Sequence, residues 1–220
     1  MATSLDITVL TGRCIDALRK QGCVTRQCND YPEIEAFLGA LGIPEPPARF
    51  SPRWQELPRA NAFWLVAESL QGAPLAAIGV RLDKLGGEAL NVYWMRQLAH
   101  LQADPAFASV DPANAPPVAR HISGNTVYFS ELFQKAAAKN RAKFDTDAFQ
   151  TLVISLAMLQ WSVDWFYALA RADSAASHPM SRSYPLIGAG SEASPDRMLC
   201  MDVEDAHYLV DSALERRLFL

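Results

Sequence analysis

The sequence predicts an α+β domain with helices packed on a mixed sheet, and three stretches carry that prediction. Residues 62–82 read as a β-hairpin, residues 126–170 as a strand–helix–strand unit, and residues 31–42 and 88–101 as helices. The totals agree: 220 residues are enough to bury a core, and with half of them apolar and a fifth charged this is the composition of a soluble globular protein. The whole chain, residues 1–220, reads as one domain.

From the N-terminus, LDITVL (residues 5–10) alternates Leu5, Ile7 and Val9 against Asp6 and Thr8, the period of a half-buried strand. Thr11 then offers an N-cap for a helix through Leu18 that Gly22 stops. YPEIEAFLGALG follows as a second helix, with Pro32 in its first turn, Glu33 and Glu35 near its positive end, and Gly42 closing it.

Residues 43–58 carry five prolines, so the spacing predicts an extended connector, with Phe50, Trp54 and Leu57 as anchors pressing it onto the core. The hairpin is AFWLVAES, a QGAP turn, and LAAIGVRL. Gly79 inside its second strand marks a bulge or the close approach of another group. Leu90, Tyr93, Trp94, Leu98 and Leu101 recur at helical spacing, which makes residues 88–101 an inserted amphipathic helix.

TVYFSEL (residues 126–132) is rich in β-branched and aromatic residues, as a strand is. The next stretch carries Lys135, Lys139, Arg141 and Lys143 with no acid among them. Residues 147–161 have a helical pattern, polar only in a thin stripe that includes Thr151 and Ser155. Such a helix is covered by a sheet and by either another helix or a second subunit, which leaves a homodimer open. VDWFYALA (residues 163–170) is apolar on both faces, as a central strand must be. Strand, charged turn, helix and strand form a β-α-β unit, and anions usually dock where the first strand feeds the helix. Beyond residue 170, Tyr184 falls in a loop, RMLCMDV (residues 197–203) is a late strand, and residues 206–218 fit a terminal helix or strand equally.

Several function classes fall away. A net charge of −4 lacks the basic face of a nucleic-acid-binding domain. Cys14, Cys23, Cys28 and Cys200 show no C-x-x-C spacing and no nearby histidine cluster, so no metal site is expected, and free thiols suit a reducing cytoplasm. No signal-like segment opens the chain. The longest uncharged run, residues 148–163, has 16 residues against the ~20 of a membrane span. Nucleophile-elbow, P-loop and H-E-x-x-H motifs are absent, and GAGSEA (residues 188–193) is followed by Ser194 and Pro195 rather than a helix.

In element order and hydrophobic pattern, from LDITVL through the hairpin to SVDWFYALA, the chain resembles the GNAT superfamily of N-acyltransferases. The resemblance implies a mixed, mostly antiparallel sheet flanked by helices. It also implies acetyl-CoA or another acyl-CoA as co-substrate and a small-molecule or peptide amine as acceptor. The superfamily's Q/R-x-x-G-x-G/A motif, whose backbone holds the coenzyme A pyrophosphate, corresponds to NRAKFDTD. That carries a phosphate cradle onto Arg141, Ala142, Lys143, Phe144, Asp145 and Thr146, with Lys139 beside them. By the same resemblance Glu131 is the base, Tyr184 the acid, and the backbone at Leu132 and Phe133 holds the thioester carbonyl.

The sequence departs from the motif at two places. Phe144 stands where the motif has glycine, and Asp145 and Asp147 put negative charge at the helix N-terminus. The alternative expectation is therefore a non-catalytic GNAT-like module that binds a small molecule or a protein partner.

Overall fold

The computed structural model describes residues 1–44, 46–50, 59–97, 115–134, 144–171, 180, 182–187 and 193–215. Thr3 accepts the Asp6 N–H while Asp6 accepts the Thr3 N–H, and this capping box starts helix α1, Ser4–Lys20. LDITVL is thus helical and not a strand. Of the alternating apolar residues only Ile7 is buried, Leu5 and Val9 being exposed, and Ile7, Leu10, Cys14 and Leu18, spaced by three and four, form the buried stripe. Thr11, expected as an N-cap, lies mid-helix, where its hydroxyl bonds the Ile7 carbonyl at 2.8 Å.

Strand β1 (Cys23–Cys28) was not foreseen. Helix α2 (Tyr31–Leu41) is as expected: Asp30 caps its start and Gly42, at φ 89°, supplies the left-handed residue that ends it. Within the connector a short 3-10 turn, Ala48–Phe50, seats Phe50 in the core at 2% exposure, so this anchor is correct. Trp54 and Leu57 lie outside the described residues.

The hairpin forms from β2 (Ala62–Ser69) and β3 (Pro74–Gly86), and β3 runs four residues past Leu82 because Asp83 and Leu85 still find partners in the core. Helix α3 covers only Leu90–Arg96 of the expected 88–101, of which residues 98–101 are outside the described set. Strand β4 is Gly124–Phe129 and a two-residue strand, β5, is Phe133–Gln134. Helix α4 (Thr146–Gln160) and strand β6 (Trp165–Arg171) complete the β-α-β unit. Strands β7 (Arg182–Ile187) and β8 (Ala193–Asp202) and helix α5 (Val203–Glu215) follow.

The strands form one sheet in the order β1-β2-β3-β4-β6-β8-β7, with β5 added against β3. Every pairing is antiparallel except β4 with β6. That parallel pair requires a crossover, and α4 is the crossover. The result is an α+β fold, a mixed, mostly antiparallel sheet flanked by helices, although a helix replaces the expected first strand.

Both faces of the sheet are buried, and alternation along the strands divides the core in two. Phe63, Leu65, Ile78, Val80, Val127 and Phe129 face α1, α4 and α5. Trp64, Val66, Tyr128, Tyr167 and Met198 face α2, α3 and Phe50. Helix α4 is buried from Ala148 to Ser155, and its second cover is α1 of the same chain, joined through the Thr11 hydroxyl 3.0 Å from Ser155. Among the described residues no helix is long and apolar enough to cross a membrane.

Candidate functional site at the carboxyl ends of the parallel pair

The register shows where the sheet opens. Parallel pairing of β4 with β6 stops at Phe129 opposite Ala168. Beyond it β6 stays with β8, where Leu169 opposes Met198. The chain leaving β4 instead stays with β3, where Phe133 opposes Ala77. The two central strands therefore part at their carboxyl ends, and an α/β unit holds ligands in such a place. Helix α4 runs back across the sheet from this end, with its cap residue Asp145 bonded to Gln21.

A bulge shapes one wall. Val80 opposes Phe129 and Ala77 opposes Phe133, so Ile78 and Gly79 face three residues, Ser130, Glu131 and Leu132. One extra residue bends the strand and re-aims what it carries. Ser130 ties the bulge to β3: its N–H donates to the Gly79 carbonyl at 2.9 Å, and its Oγ accepts the Gly79 N–H at 2.7 Å. The same hydroxyl donates to the Glu131 carbonyl at 2.8 Å. Glu131 itself is exposed, in the bulge and past the end of β4, where the sequence placed it inside the strand. Leu132 is half-buried and packs against the core, and Phe133 begins β5 with its ring 6.2 Å from Trp64.

Of the expected phosphate cradle, Lys139, Arg141, Ala142 and Lys143 lie outside the described residues. Phe144 packs its ring 5.4 Å from Phe149 and joins the core. Asp145 is the N-cap of α4: its carboxylate accepts the Ala148 N–H at 2.8 Å, and its own N–H donates to Gln21 Oε1 at 2.9 Å. Thr146 is the first helical residue.

Tyr184, expected in a loop, is a strand residue of β7 opposite Met198, which in turn opposes Leu169. Strand formation wins there because the segment pairs along β8. Two inter-strand spacings put Tyr184 about 10 Å from β6 along the sheet.

On the face of the sheet that packs on α2 and α3 lies a buried ion network that the sequence did not announce. Asp83 on β3 pairs with Arg49, accepts Arg81 Nε at 2.8 Å, and accepts hydroxyl donors from Tyr93 and Tyr167, each at 3.1 Å. Burial works to raise the Asp83 pKa, but Arg49 and Arg81 outweigh it and hold the carboxyl below its ordinary value. Burial likewise works against the Arg49 charge, and Asp83 holds that guanidinium well above its usual pKa. Burial pushes the Tyr167 hydroxyl up, so it stays protonated. Arg81 also donates to the Arg49 carbonyl at 2.9 Å, and the Arg49 guanidinium lies 4.2 Å over the Tyr128 ring. Both ends of Arg49 are thus fixed, and the next residue, Phe50, is pressed on Gly79: a Cβ there would lie 2.9 Å from the Phe50 ring. The sequence signal at Gly79 therefore reports close approach rather than a bulge, and the bulge lies on the partner strand.

The four cysteines are buried and form no disulfide, and burial, with Asp145 adding to it, pushes the Cys14 thiol up to about 12. Among the described residues no cluster of His, Cys, Asp and Glu is placed to hold a metal ion.

No protein-family model matches the chain, and a search of curated proteins finds no match. Among solved structures it is similar to FeeM, an N-acyl amino acid synthase from uncultured soil microbes, at 10% identity over 83% of this chain and 91% of that one, with a TM-score of 0.46.

Proposed function

We propose that the chain transfers an acyl group from acyl-CoA to an amine at the opening between β4 and β6. The observation that carries this reading is the parting of the two parallel strands beside the Glu131 bulge. An extended thioester arm can enter between parting strands and meet unladdered backbone, and the charges of Lys139 and Arg141 suit its phosphates.

In the reaction the amine nitrogen attacks the thioester carbon, a C–N bond forms and the C–S bond breaks. Glu131 takes the proton that the amine loses, the backbone at Leu132 and Phe133 faces the carbonyl oxygen, and Tyr184 returns a proton to the departing thiolate. The register leaves Tyr184 about 10 Å from β6, so in this role it reaches the thiolate only across that width of sheet.

One observation favours a second reading, a GNAT-like module that binds without catalysis. Phe144 occupies the cradle's glycine position and is committed to packing on Phe149, while Asp145 occupies the cap of α4.

Calorimetric titration with coenzyme A, acetyl-CoA and a longer acyl-CoA separates the two. Micromolar binding that disappears when Lys139 and Arg141 are neutralised supports transfer, and Glu131→Gln then lowers turnover by about 100-fold or more. No heat from a folded sample makes the binding module the leading reading.

A further inference from the structure

We infer that Ser130 is a positioning residue: its hydroxyl sets the bulge that presents Glu131, and Phe50 braces the arrangement from below. This rests on the transferase reading for its catalytic consequence, but its geometry stands apart from it.

Ser130 is 4% exposed and makes three tight bonds with two residues. Two of them are to the same residue, Gly79, the Ser130 backbone donating to its carbonyl and the Ser130 side chain accepting from its N–H. The third runs along the chain to the Glu131 carbonyl. A serine hydroxyl has one proton and two acceptor sites, so accepting from Gly79 and donating to Glu131 gives that proton a single direction. Donation to the carbonyl orients the Glu131–Leu132 peptide, and with it both the Glu131 Cα–Cβ bond and the Leu132 N–H.

Gly79 cannot easily move away. Phe50 lies on its Cα, and the Phe50 ring is held 5.1 Å from Trp64 and 5.7 Å from Tyr128. The turn before it is anchored at both ends of Arg49 by Asp83 and Arg81. A charged network thus holds an aromatic ring, the ring holds a backbone, and the backbone holds the serine whose neighbour is the proposed base.

The test compares wild type, Ser130→Ala and Ser130→Thr, the last retaining a hydroxyl on a strand-compatible side chain. With acyl-CoA and an amine acceptor found by screening, Ser130→Ala is expected to lower kcat about tenfold or more while KM for acyl-CoA stays within about twofold, and Ser130→Thr to recover most of the loss. Hydrogen exchange at the amides of residues 131–133, measured on the same three proteins without ligand, is expected to quicken in Ser130→Ala alone, with melting temperatures recorded to exclude general unfolding. An unchanged kcat in a folded Ser130→Ala overturns the positioning role, and so does unchanged exchange at residues 131–133. A wild type that turns over no substrate sinks the transferase reading instead, and exchange alone then decides whether Ser130 sets the bulge.

Discussion

Asp83 is the residue on which the buried half of the molecule is most exposed to damage. A carboxylate taken out of water is tolerated only when its lone pairs are satisfied, and here two guanidinium groups and two tyrosine hydroxyls do so. Replacing Asp83 by Asn leaves Arg49 and Arg81 without their counter-charge, and the expected cost is ~3–5 kcal/mol by urea denaturation at pH 7. The pH dependence follows from the lowered pKa. The contribution is present above the unfolded carboxyl value of ~3.9 and is lost as pH falls toward the folded one. The gap between wild type and Asp83→Asn is therefore expected to narrow below about pH 4. A gap that stays constant through that range would mean that Asp83 is not ionised in the fold. The sequence offered no pairing for these residues: Arg49 lies in a proline-rich connector and Asp83 in an apolar strand, 34 positions apart.

At the scale of elements, two helix starts show what a local pattern can decide. Helix α2 was legible because Pro32, Glu33 and Gly42 are signals that act within a turn of the chain. Helix α1 was not, because apolar residues at positions 5, 7 and 9 satisfy a strand period, and the deciding capping box begins two residues earlier at Thr3. Helix α4 was legible as a helix, and its N-terminus is where two substitutions test the proposed chemistry. Asp145→Ala is expected to lower stability by ~1 kcal/mol through loss of the cap. Phe144→Gly removes the ring from Phe149 and restores backbone freedom at the turn, and on the transferase reading coenzyme A affinity is expected to rise about tenfold, or ~1.4 kcal/mol. Titration of both variants checks this, and no gain for Phe144→Gly would count against a phosphate cradle at residues 141–146.

Across the whole molecule, the sheet is covered on both faces but parts between its two central strands, so a ligand that bridges them ties the two halves of the sheet together. If coenzyme A binds only the native state there, linkage gives ~2.7 kcal/mol at a concentration 100 times Kd. For a chain of this size that corresponds to a rise in Tm of about 5–10 °C. A concentration-dependent rise, lost on neutralising Lys139 and Arg141, is the expected outcome of thermal melts with added coenzyme A, and a flat melting temperature would argue that the opening is closed to it.

By itself the sequence determined what depends on neighbours along the chain. It specified the hairpin through its Gly-Ala-Pro turn, the β-α-β unit through its change of period, and the seat of Phe50, and it marked Gly79 as either a bulge or a close approach. The fold class followed from these. Only the tertiary structure decided the strand order, the parting of β4 from β6, the bulge at Glu131, and the strand that carries Tyr184. Each depends on which distant segment supplies the next hydrogen-bonding edge, and no periodicity within one strand records the register of its partner. The Arg49–Asp83 network belongs to the same class, because a buried charge can be recognised as satisfied only once its counter-charge has been brought to it.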